Sequence, residues 1–286
     1  MIAMTDARSI VHIQDALDPR IDDYRSVRDR DARGLDGRPG LFVGETRLVV
    51  DRMLAIPGLT KSVFVAERHA SQMRTAMNAI DAAPAGNSVP LFAATESVLQ
   101  TIAGFNVHRG ILAIGHRPHD SSLTLDAAIP RRERLTLLLC DEVTNIDNVG
   151  ALYRNAAAFG VDAVVLSRGC HDHLYRKCIR VSMGHAIAMP TARSIDWPRD
   201  IARLRDEWDL TVLGAATGEK ARCLDDVARP ERVGVLVGSE YAGLSRESLR
   251  HCDALVRIPM APGIDSLNVA VAAAVCLHRF ACSPRM

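Results

Sequence analysis

Residues 233–275 read VGVLVGSEYAGLSRESLRHCDALVRIPMAPGIDSLNVAVAAAV, and this stretch decides how the chain folds. The apolar, β-branched run 233–237 stops at Gly238-Ser239-Glu240, the pattern of a buried strand ending in a turn. A second short run, 255–258, stops at Pro259-Met260-Ala261-Pro262-Gly263. The chain then turns at Asp265-Ser266 into an Ala-rich segment, 267–274, whose small side chains allow close helix packing. Two strand ends deliver glycines, a carboxylate, a hydroxyl and an amide to one neighbourhood. That combination marks a site rather than a core.

The residues upstream repeat the theme. Residues 135–140 are apolar but for Thr136, as in a parallel strand buried on both faces, and Asp141-Glu142 follows at once. Asn148 stands where it can cap a helix running to Phe159, with Val149, Leu152, Ala156 and Phe159 at helical spacing and Gly160 closing it. Residues 163–166 return as a strand, which makes a parallel βαβ unit. Further strands are predicted at 186–189 and 211–215, and helices at 198–207, 246–251 and 268–280. Ligands of open parallel sheets bind beyond the carboxyl ends of the strands. Asn148, Thr217, Gly238 to Glu240 and Met260 all fall at such ends. No G-x-G-x-x-G follows any strand, which argues against a nucleotide-dependent dehydrogenase.

The first half alternates on a smaller scale. Strands are predicted at 41–43, 62–66, 91–93 and 111–114, with helices at 45–54, 67–80 and 96–102 between them, giving a small α/β domain over residues 1–115. Residues 1–39 mix Arg and Asp densely (Arg20, Asp22, Asp23, Arg25, Arg28, Asp29, Arg30, Asp31, Arg33), the signature of a solvated helix of balanced charge. Residues 116–134 are polar and turn-rich and read as a linker, leaving 135–286 as the second domain.

Composition limits the function classes. The 286 residues suffice for two modest domains, and 48% hydrophobic with 24% charged residues is ordinary for a globular protein. No apolar run approaches membrane-spanning length and residues 1–11 lack a signal-peptide core, so the expected compartment is the cytoplasm and no membrane partner is expected. Seven cysteines, an odd number without C-x-x-C spacing, argue against a disulfide framework. Cys170-His171-Asp172-His173, with Cys178 beyond, reads as a polar loop, and no metal is expected there. A net charge of +1 confines any nucleic-acid surface to a local patch.

Three blocks carry a family resemblance: Asn148-Val149-Gly150-Ala151 with Arg154, then Gly238-Ser239-Glu240-x-x-Gly243-Leu244, then Ile258-Pro259-Met260 with Ser266-Leu267-Asn268-Val269. Together, in this order, they resemble the three signature motifs of the SpoU (TrmH-type) RNA ribose methyltransferases of the SPOUT superfamily. The resemblance covers the second half of the chain. It implies a parallel-sheet α/β domain with a C-terminal trefoil knot, S-adenosylmethionine as cofactor, a homodimer, and methyl transfer to a ribose 2′-hydroxyl of tRNA or rRNA. The first domain resembles, in pattern only, the ribosomal-protein-like RNA-binding domain that often precedes it. The family's cofactor contacts fall on Gly238, Ile258 and Leu267, with Thr217 and Met260 close by. Arg154 becomes the catalytic candidate, set in a polar wall of Asn148, Glu240, Ser266 and Asn268, and Glu240 is its expected partner. One departure is Pro262, where the family commonly has Gly; here Gly263 follows one residue later. The competing reading is a catalytically silent RNA-binding protein of the same fold.

Overall fold

The computed structural model describes residues 9–25, 40–81, 89–104, 107–218 and 220–281. The chain divides into two compact units. One comprises residues 1–117 with 174–188, the other 118–173 with 189–286.

The first unit is built on β1 (Ile10–His12), β2 (Leu41–Glu45), β3 (Thr60–Ala66), β4 (Leu91–Ala94) and β5 (Ile111–His116), in the sheet order β1-β4-β3-β5-β2. β1, β4 and β3 are parallel, and β5 runs antiparallel to both β3 and β2. Helices α1 (Arg47–Leu54), α2 (Glu67–Asp81) and α3 (Glu96–Ala103) connect them. The alternating pattern predicted this unit, but β1 is only three residues long and its periodicity is too short to read. The expected solvated helix is corrected where it is described. Pro19–Tyr24 is a 3-10 turn whose Ile21 and Tyr24 are fully buried, with the Tyr24 hydroxyl 2.8 Å from Ser62 Oγ. The rest of that charged run lies outside the described residues.

The second unit holds a seven-stranded parallel sheet in the order β10-β12-β9-β11-β6-β7-β8. Its strands are β6 (Leu135–Cys140), β7 (Ala163–Leu166), β8 (Thr191–Arg193), β9 (Thr211–Ala215), β10 (Arg222–Cys223), β11 (Arg232–Val237) and β12 (Ala254–Arg257). Every residue of β6 and β7 is buried, as their apolar runs, broken only by Thr136, require of central parallel strands. β11 lies between β6 and β9, so its end at Val237 opens onto the middle of the sheet's carboxyl edge. Helices α4 (Leu125–Ala128), α5 (Ile146–Ala158), α8 (Trp197–Trp208), α9 (Arg246–His251) and α10 (Val269–Phe280) complete the unit. α5 packs on α10, and Asn155 Nδ2 donates to the Ala270 carbonyl oxygen at 2.8 Å.

Two expectations are corrected here. Residues 118–134 are not a bare linker: α4 follows a Thr124 cap, and Leu125 and Ile129, one turn apart, are buried in the main core beside Leu137 and Trp197. The strand predicted at 186–189 is instead α7 (His185–Ala188). α6 (Arg176–Val181) runs into left-handed turns at Met183 (φ 58°) and Gly184 (φ 84°), and Ser182 Oγ accepts from Ala186 N at 3.2 Å, which starts a new helical turn. This segment groups with the first unit, where Glu45, 1% exposed, accepts from Arg180 at 2.8 Å and Arg176 at 3.1 Å. Among the described residues no helix is long and apolar enough to cross a membrane.

Candidate active site

The three motif blocks converge at the carboxyl edge of the second unit's sheet. Asn145 caps α5, its Oδ1 accepting from Asp147 N (2.9 Å) and Asn148 N (3.2 Å). The expectation that Asn148 caps this helix is therefore corrected. Asn148 is free to act as a bridge: its Nδ2 donates to Glu240 Oε1 at 2.6 Å, and its Oδ1 accepts from Asn268 Nδ2 at 2.9 Å. Asn268 in turn caps α10, its Oδ1 accepting from Ala270 N at 2.9 Å. One amide thus joins the ends of β6, β11 and β12 through three side chains remote in sequence.

The loop after β11 is a closed hairpin. Ser239 and Gly243 exchange both backbone hydrogen bonds at 3.0 Å, and Ser239 Oγ accepts from Ala242 N at 3.1 Å. A Cβ on Gly238 would lie 2.2 Å from the carbonyl carbon and oxygen of Gly243 and 2.4 Å from Leu244 N. Glycine is required there by the loop's own backbone, a reason internal to the fold that the sequence did not offer. The turn in the third block is likewise achieved: Gly263 has φ 83°, a left-handed value that suits the glycine placed after Pro262.

A cavity of about 660 Å³ opens between these loops, within the usual range for a small-molecule site. Thr217, Gly238, Glu240, Ile258, Met260, Ser266, Leu267 and Asn268 line it. Glu240 Oε2 is buried and has no hydrogen-bond partner among the described residues, so the cavity wall carries an unsatisfied acceptor. Arg154 is not brought to this wall. It is exposed on α5, with no side-chain partner among the described residues, and the expected Arg154–Glu240 pair is replaced by Asn148–Glu240. The amide lies in reach because it sits at the start of α5, close to the strand ends.

One functional support escaped the sequence reading. Asp141, 1% exposed at the end of β6, accepts from Ser245 N at 2.9 Å and from Ser248 Oγ at 2.6 Å. Ser248 Oγ also accepts from Trp197 Nε1 at 2.8 Å. A buried carboxylate thereby fixes the base of the hairpin that carries Glu240. Its signal was an acid directly after an apolar strand. Beside it, burial pushes the Cys140 thiol well above its usual range, helped by Cys170 and Asp141. Among the described residues no three His, Cys, Asp or Glu side chains gather as metal ligands.

Residues 134–278, just over half of the chain, match the model of the SpoU rRNA Methylase family. The chain belongs to the SpoU rRNA methylase family. An uncharacterized tRNA/rRNA methyltransferase of Mycobacterium tuberculosis is 36% identical to it over 96% of this chain and 92% of the relative. The 23S rRNA (guanosine-2′-O-)-methyltransferase RlmB of Haemophilus ducreyi is 33% identical over 66% of this chain and 77% of its own. Among solved structures, an AdoMet-bound rRNA methyltransferase from Sinorhizobium meliloti superimposes with a TM-score of 0.76 at 24% identity, covering 94% of this chain and 97% of that one. The parallel-sheet α/β fold of this SpoU-family chain is the one those structures share.

Proposed function

We propose that this SpoU-family chain transfers a methyl group from S-adenosylmethionine to a ribose 2′-hydroxyl of tRNA or rRNA. The observation that carries the reading is the Asn268–Asn148–Glu240 chain, which closes three separate motif blocks around one cavity. The unsatisfied Glu240 Oε2 suits a ligand that brings donors or positive charge, and both the cofactor and a ribose hydroxyl do so. When bound, the cofactor supplies the electrophilic methyl. Gly238, Ile258 and Leu267 would hold it through their backbone groups, with Thr217 and Met260 at the cavity's margins.

The protein's own task is positioning. Asn148, Glu240, Ser266 and Asn268 form the polar wall against which the hydroxyl is oriented. Arg154, outside this wall, exposed and without a side-chain partner among the described residues, is the phosphate clamp: its planar fork grips phosphate bidentately and its charge offsets the negative charge of the substrate. Guanidinium stays protonated in proteins, so this side chain is assigned to charge stabilisation and not to proton removal. The family resemblance supports a trefoil knot in the second unit, RNA binding by the first unit, and action in the cytoplasm as a homodimer. Val271 and Val275, one turn apart on α10, are 50% and 37% exposed, apolar surface that a second copy would cover.

The test is transfer of labelled methyl from S-adenosylmethionine to mixed tRNA and rRNA from cells lacking the gene. Label in 2′-O-methylnucleosides after nuclease digestion is the expected result. RNA binding without transfer would instead identify a silent relative, and a monomer in sedimentation would remove the dimer.

A further inference from the structure

We propose that Tyr241 is a stacking platform for the base of the nucleotide being methylated, an assignment that rests on the RNA methyl-transfer reading above. Tyr241 is 98% exposed, the most exposed of the large apolar side chains among the described residues. It stands at the tip of the Ser239–Gly243 hairpin, adjacent to Glu240, and lines the mouth of the cavity. Its hydroxyl has no hydrogen-bond partner among the described residues, so neither end of the side chain contributes to folding.

The hairpin is rigid where the ring is free. Paired Ser239–Gly243 backbone bonds close it, and Ser239 Oγ holds Ala242 N inside it. Asp141 grips the first residue after the hairpin's Leu244 from below, through Ser245 N. A ring displayed from a fixed backbone loses little freedom on binding, which favours a flat partner. Two occupants fit a flat, polar-edged surface beside this cavity: the adenine of the cofactor or the base of the substrate. The ring's near-complete exposure favours the substrate, because a cofactor enclosed by the cavity wall would need the ring turned inward. Bases unstacked from RNA stack on aromatic side chains in single-stranded recognition, and each such contact is worth about 1–3 kcal/mol, about 5- to 150-fold in affinity. Stacking tolerates any base, so Tyr241 contributes affinity and orientation and leaves the choice of nucleotide to other contacts.

The experiment compares wild type, Tyr241→Phe and Tyr241→Ala in the full chain, with mixed tRNA and rRNA from cells lacking the gene as substrate. Tyr241→Ala is expected to raise KM for RNA about 5- to 150-fold while calorimetry shows the Kd for S-adenosylmethionine unchanged, and Tyr241→Phe should behave as wild type. In parallel, Tyr241→Trp should show fluorescence quenching on adding the same RNA, beyond any change that buried Trp197 and Trp208 give in the wild type. A weakened cofactor Kd in Tyr241→Ala overturns the proposal in favour of an adenine contact. Loss of the dimer overturns it in favour of an interface contact. Unchanged KM with an active wild type overturns this inference alone, whereas a wild type that transfers no methyl overturns the functional reading and this inference together.

Discussion

Asn148 is the residue on which the three motif blocks depend. Its amide both donates to Glu240 and accepts from Asn268, so Asn148→Ala leaves a carboxylate oxygen and a cap amide unpaired at once. An orphaned buried group costs about 1–3 kcal/mol, and because Glu240 is half-buried and Asn268 exposed the loss belongs at the low end of that range. Thermal melting should register that loss, and S-adenosylmethionine affinity should fall with it; an unchanged melt would mean the bridge is incidental. Arg154 makes the opposite prediction, because its side chain has no hydrogen-bond or ion-pair partner among the described residues. Arg154→Ala should keep the melt and the cofactor Kd while methyl transfer falls about 10²–10³-fold. Arg154→Lys should be equally impaired, since lysine lacks the planar fork. Recovery of the lysine variant as pH rises would point to proton removal and overturn the clamp. The candidate residues could be read in the sequence because motif order singles them out, but their pairing could not. Asn145 and Asn148 are both plausible caps three residues apart, and only the fold shows which one is released to reach Glu240.

Among elements, the junction of β6 and α9 has the most to test. Asp141 holds Ser245 N and Ser248 Oγ, and Ser248 also satisfies Trp197. Hydrogen bonds to a charged group contribute about 1.5–3 kcal/mol each. Asp141→Ala should therefore destabilise the chain by about 3 kcal/mol in urea unfolding, and Ser248→Ala by about 1–2 kcal/mol. The double variant should lose less than the sum, because the two share a bond. Strict additivity would show that the network is not coupled. At this scale the sequence is legible where one signal dominates: the mainly apolar runs of β6, β7 and β11 declare buried parallel strands. It fails at α7, where Ala186, Ile187 and Ala188 are as apolar as a strand and the deciding facts are left-handed turns at Met183 and Gly184. It fails also at β1 and β10, three and two residues long, too short for any period.

For the whole molecule, the division into units differs from the division the composition suggests. Residues 118–134 are polar on average, yet Leu125 and Ile129 belong to the second unit's core. Leu125→Ala should cost about 2–5 kcal/mol, the range for removing a buried leucine, measured by chemical unfolding. A value near zero would restore the linker reading. Average polarity concealed this element because two apolar residues one turn apart suffice to bury a short helix. The central claim, ribose methylation of RNA, is tested most directly by mapping 2′-O-methyl groups across tRNA and rRNA in cells with and without the gene. Resistance to alkaline cleavage reports each methylated ribose. The account predicts at least one position that loses protection on deletion and regains it with the wild-type gene but not with Arg154→Ala. Identical maps from the two strains would contradict it.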